Sequence, residues 1–284
     1  MPIISMSAKL IAYLAATNLA LRYSYRLCSH TNNRILSLSA PVTIISLLTA
    51  IVALLPMTTT LAVTILFIMI ADGSPITILA LNHSSGALGF TLWGAGLGFI
   101  CVMLMFACGL AGKFITVHKI DGENRRERIP KFYIGLIDYI GGAIFEEVVL
   151  RGYIFYLLSS VFGGIVAIFV SSFIFSLLHL VRPDRIPAVF TLNAFIFGLL
   201  TGASRYYTGA LWLPIGLHIG WNVTAGPILG LPYSGITYDR GIVRSEVKGP
   251  QWFTGGLYSP DAGLLGTIAL AVAAVVLGLV APII

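Results

Sequence analysis

Between Ile35 and Ala71 the chain runs for 37 residues without one charged side chain. About 20 apolar residues suffice to cross a bilayer as a helix, so this run sets the class of fold. It is broken by Pro56, which predicts either one long kinked helix or two helices joined tightly. Similar apolar runs recur at Ala87–Ala111, Phe132–Leu158, Val161–Leu180, Ile186–Ser204, Ala210–Leu229 and Ala262–Val280. Leu10–Leu21 is shorter and flanked by Lys9 and Arg22, which predicts a marginal first span or an interfacial helix. Alternating ten-residue strands, the mark of a membrane barrel, are absent. The expected fold is all-α, a polytopic transmembrane bundle of about seven or eight spans.

Composition agrees: 57% of the 284 residues are hydrophobic and only 10% charged, where a soluble domain carries about a quarter. Net charge is +6. Its excess lies in loops 113–131, 182–185 and 240–248, which the positive-inside rule puts on the cytoplasmic side. No basic stripe with interleaved aromatics speaks for nucleic acid. Cys28, Cys101 and Cys108 form no CxxC pair and read as packing residues. Three regions are expected: N-terminal membrane segments over 1–86, a core over 87–230, and a Gly/Pro-rich loop with a final helix over 231–284. Gly230–Asp261 reads as an interfacial connector, with a cap over the core as the alternative.

The chemistry concentrates in three short groups. Glu146, Glu147 and Arg151 fall in six residues of an apolar run. A charge at bilayer depth costs about 2.5 to 3.5 kcal/mol on insertion scales, so such residues face a bundle interior or a wet cavity. Glu147 and Arg151 are spaced i, i+4 and share a helix face. Glu146 points about 100° away on an ideal helix, which leaves it free for proton chemistry. The second group ends in His179, four residues after Phe175. The third is His218 and Asn222, again i, i+4. Two carboxylates, two imidazoles and an amide suit the activation of water against a carbonyl. Glu and His are also ordinary zinc ligands, with Glu146, His179 and His218 as the candidate set. Buried Glu and His equally make proton relays, so a proton-coupled transporter is a competing class; no inverted repeat of the two halves accompanies it. Asp138 and Asn193 stand outside the three groups, and Asp138 reads as structural.

Read in order, the groups are EExxxR, FxxxH and HxxxN, with flanks Arg151-Gly152, Leu178-His179-Leu180 and Gly220-Trp221-Asn222. They resemble the motifs of the CPBP family, the CAAX prenyl protease and bacteriocin-processing (Abi) intramembrane proteases, over about residues 87–230. The resemblance implies an intramembrane endopeptidase with a peptide or protein substrate, lipidated or membrane-bound. It implies Glu146 as the residue that activates water, Glu147 and Arg151 as its paired neighbours, and His179 as the catalytic histidine. His218 and Asn222 would be oxyanion donors, or His218 a metal ligand. Both a metalloprotease and a metal-independent, glutamate-based site are compatible with it. The sequence has no HExxH, which weighs towards the second. A non-proteolytic immunity or scaffold protein of the same fold is the alternative within the family.

Overall fold

The computed structural model describes residues 3–81, 86–118, 125–180, 188–232, 241–256 and 258–280. The loop residues Arg182, Arg185 and Arg240 lie outside them. Helix α1 spans Ile3–Leu36 without interruption. Thirty-four residues at 1.5 Å each make a rod of roughly 50 Å, so the short segment expected around Leu10–Leu21 is the middle of a long helix. The uncharged run divides into α2, Val42–Ala53, and α3, Leu55–Ala71, with Pro56 in the first turn of α3. Leu54 between them keeps helical dihedrals, so the proline offsets the axis without ending the rod. A short α4, Pro75–Ile78, leads to α5, Ala87–Ala111, whose ends coincide with the apolar run read from the sequence.

Beyond α5, strand β1, Ile115–His118, pairs antiparallel with β2, Arg244–Val247, in a two-stranded ribbon. Helix α6, Arg125–Glu147, then passes directly into a π-helical segment, Val148–Ile154, and on into α7, Phe155–Phe162. Helices α8, Gly164–Leu178, α9, Ala188–Thr208, and α10, Trp212–Val223, complete the core. A second π-helical turn, Thr224–Ile228, ends α10 around Pro227. The short α11, Gln251–Thr254, and a 3-10 turn, Pro260–Ala262, precede α12, Leu264–Val280.

The chain is an all-α bundle. Four helical stretches, 3–35, 43–71, 87–111 and 188–208, are long and apolar enough to cross a membrane among the described residues. Large apolar side chains on the outer faces of three of these and of α12 lie bare: Leu19, Ile70, Leu88 and Leu279 on α1, α3, α5 and α12 are each about 70% exposed or more. In water such a surface would aggregate; against lipid it is the expected exterior.

Helix α10 has only 12 residues and sits inside. Its contact with α5 is a reciprocal small-residue seam. A Cβ on Gly94 or Gly98 would meet the Leu213 or Leu217 carbonyl oxygen at 2.4 Å. A Cβ on Gly216 or Gly220 would meet the Thr91 or Ala95 oxygen at 2.2 or 2.1 Å. Two GxxxG pairs therefore let the backbones touch, as apolar solvent offers no other strong drive for helices to associate. Their consequence is positional: His218 lies between Gly216 and Gly220, so the seam sets where its imidazole points.

Candidate active site

The glutamates of α6 are adjacent in sequence and live in different surroundings. Glu147 is fully buried, as is Arg151 one turn on, and Arg151 Nη1 lies 3.4 Å from Glu147 Oε1. The same oxygen accepts a 2.9 Å hydrogen bond from His218 Nδ1. Glu147 is thus the hinge between the first and third groups. Arg151 is held further by its Nη2, which donates to the Gly198 carbonyl at 3.2 Å, and by the Phe175 ring, 4.6 Å from its guanidinium carbon. The cluster is not saturated: Glu147 Oε2 and Arg151 Nε have no hydrogen-bond partner among the described residues.

Glu146 turns the other way. Its side chain is 34% exposed, and its Oε2 stands 3.8 Å from His218 Nε2. That separation is an ion-pair distance and too long for a hydrogen bond. The π-helical segment begins one residue after the pair. A π-turn widens the helix and is common at functional sites; here it carries Arg151 and the buried Tyr153. Tyr153 donates from its hydroxyl to Asp72 Oδ2 at 2.7 Å, and Asp72 also pairs with Lys9. These contacts tie α1 and α3 to the widened turn.

His179 follows the last residue of α8. Its Nδ1 is 2.8 Å from the Phe175 carbonyl oxygen. A carbonyl only accepts, so Nδ1 carries the proton and Nε2 of the neutral ring holds the free lone pair. By the same reasoning His218 donates from Nδ1 to Glu147 and must gain a second proton before Nε2 can donate. Phe175 is the common wall: its ring centroid lies 4.6 Å from that of His179 and 6.0 Å from that of His218. The i, i+4 spacing with His179 signalled a shared face for Phe175, though not that all three groups would meet on it.

Two cavities meet at Phe175 and His179. The larger, about 490 Å³, is an apolar groove between α1 and α8 that contains Glu146. Leu14, Thr17 and Leu21 of α1 form its far wall, with Ile174 and Leu178 opposite. The smaller, about 40 Å³, is a chamber reached by His179, His218 and Asn222. Asn193 and Asp261 line it as well, and neither belongs to the three groups.

Asp261 arrives from the far end of the Gly/Pro-rich segment, whose last residues, Pro260–Ala262, pack against α9. Asn193, buried on α9, donates from Nδ2 to the Asp261 carbonyl at 2.7 Å and to the Gly263 carbonyl at 3.0 Å. Its Oδ1 accepts from Thr267 at 2.8 Å. One amide thereby pins the strap by its backbone. Gly255 lets the strap coil: its φ is +73°, and a Cβ there would meet the Ser259 oxygen at 1.7 Å. Burial pushes the Asp261 carboxyl up, opposed by Ser259 and by the nearby His179. Asp138 is half-buried on α6, within electrostatic reach of Tyr25 and Cys28 of α1.

For the candidate zinc set, no three His, Cys, Asp or Glu gather at metal-binding geometry among the described residues. His218 Nδ1 is engaged by Glu147, and His179 Nδ1 by a carbonyl.

Residues 128–224 match the family model described as type II CAAX prenyl endopeptidase Rce1-like. No curated protein matches the chain. All six residues of the three groups lie inside the matched stretch; Asp261 lies beyond it. Over that stretch the chain is similar to the Rce1-like type II CAAX prenyl endopeptidases, a peptidase family, and its long apolar helices agree with an integral membrane protein.

Proposed function

We propose that the protein is an intramembrane endopeptidase in which Glu146 activates a water molecule without a metal. The observation that carries this reading is the split of the glutamate pair. Glu147 is committed to Arg151 and His218, whereas Glu146 stands partly exposed in a groove with His179 beside it. A base must be reachable by the group it deprotonates, and of the two only Glu146 is.

In this mechanism Glu146 takes one proton from water as the water oxygen bonds to the scissile carbonyl carbon. His179, with a second proton on Nε2, donates to the water oxygen and so orients it. The carbonyl π-electrons move onto oxygen, and the Asn222 amide with protonated His218 supports the oxyanion. Collapse breaks the C–N bond, and Glu146 returns its proton to the leaving amine. The apolar groove would take the hydrophobic part of the substrate, a side chain or a lipid chain. We further read the ribbon end of the molecule as cytoplasmic. Support comes from the pairing of 115–118 with 244–247, which joins two of the basic loops on one side.

The test is cleavage of a peptide library by the full chain in detergent, beside Glu146→Ala and His179→Ala. Each variant is expected to lose about 10²- to 10⁴-fold in turnover, and phenanthroline to leave the wild type active. Equal turnover in all three would remove the protease assignment; loss with chelator would restore the metal.

A further inference from the structure

We propose that Asp261 is a further catalytic residue, accepting a hydrogen bond from the attacking water in the small chamber and so holding it against His179. This rests on the endopeptidase reading above and adds to it a carboxylate from outside the stretch 128–224.

The chamber has the size and lining for water. Its volume is about 40 Å³, and one water needs about 10–15 Å³ on that measure. It has room for about three waters and none for a peptide side chain. A buried water also needs two to four polar partners. Asn193 has no donor left, since both its N–H groups go to the strap, and its oxygen already accepts from Thr267. His179, His218, Asn222 and Asp261 remain. Asp261 Oδ1 is buried with no hydrogen-bond partner among the described residues. A buried acceptor left unpaired is costly, and a stable fold does not carry one without cause. The other side of the carboxylate lies against Ser259 and Trp221.

The division of labour follows. The bound water directs one O–H to Asp261 Oδ1 and the other to Glu146. As the O–C bond forms, the proton facing Glu146 transfers to it. The O–H facing Asp261 stays on the oxygen that becomes part of the new carboxyl group. Asp261 therefore accepts a hydrogen bond throughout and need not change its own protonation. Substrate and water approach His179 from opposite sides, one from the groove and one from the chamber.

The strap is fastened to Asn193 through the Asp261 main-chain carbonyl, while the carboxylate keeps only its local contacts to Ser259 and Trp221. Truncating the side chain leaves that fastening in place. The experiment uses the full chain in detergent and a peptide the wild type cleaves. Asp261→Ala is expected to lower kcat about 100-fold with KM within about twofold, and added formate to recover a part of it. Asp261→Asn is expected to fall similarly and gain nothing from formate, its space being filled. If Asp261→Ala does not fold, the Asn variant alone decides, by kcat against KM. Wild-type kcat in the folded variants, or a loss carried by KM, overturns the assignment of Asp261. A loss in Asp261→Ala that formate cannot repair, paired with wild-type kcat in Asp261→Asn, makes the residue structural and overturns it too. An inactive wild type would instead defeat the endopeptidase reading.

Discussion

The groove and the chamber share Phe175 and His179, yet differ more than tenfold in volume, about 490 against 40 Å³. The groove is walled by leucine, isoleucine and valine and opens between helices whose outer faces are apolar. The chamber is small, lined by aromatic rings and edged with imidazole, amide and carboxylate. Hydrolysis in a membrane has to bring together a substrate that partitions into lipid and a reagent that does not. One cavity could not hold both well, because an apolar cavity stays dry and a wet one repels hydrocarbon. Two cavities meeting at one histidine resolve the conflict.

The comparison can be broken from the largest effect downwards. Arg151 packs on Phe175, the wall shared by both cavities, and Arg151→Ala should cost about 3–5 kcal/mol by taking the guanidinium from the buried Glu147. Thermal unfolding in detergent measures it, and wild-type stability would mean that Glu147 needs no partner. Asn222→Ala touches the chamber alone. Turnover should fall about 10²- to 10³-fold as an oxyanion donor is lost, with KM nearly unchanged; steady-state kinetics separate the two. Gly220→Ala acts on the seam that aims His218. Overpacking against the Ala95 oxygen should cost about 1–3 kcal/mol, read as a lower midpoint of thermal unfolding. Leu21→Trp fills the groove from its α1 side without entering the chamber. It should raise KM for peptides with apolar tails about tenfold, roughly 1.4 kcal/mol, and leave kcat in place. A change in kcat instead would show that the two cavities are not separable.

Much of this was legible in the sequence, and the reason differs by element. The limits of α5 followed from an uninterrupted apolar run, because lipid demands one. The direction of Glu147 towards Arg151 followed from a spacing of four. The site residues hidden from the sequence are those whose place depends on distant chain. His218 was expected beside Asn222, yet its closest ionic contact is Glu147, 71 residues away. Asp261 ends the Gly/Pro-rich loop, and nothing local announces that Asn193, 68 residues earlier, will hold its carbonyl. The π-helical turn after Glu147 left no mark either: apolar periodicity reads which face is buried and is blind to one extra residue in a turn. Long α1 was read short because Lys9, Arg22 and Arg26 interrupt hydropathy without interrupting a helix.

The central claim is that neighbouring glutamates have been given separate tasks, chemistry to Glu146 and cohesion to Glu147. Turnover of Glu146→Gln and Glu147→Gln, each at its own measured unfolding midpoint, tests it most directly. The account predicts that Glu146→Gln keeps the wild-type midpoint and loses at least about 10²-fold in kcat, while Glu147→Gln unfolds at lower temperature. A Glu146→Gln protein that cleaves at the wild-type rate would contradict it.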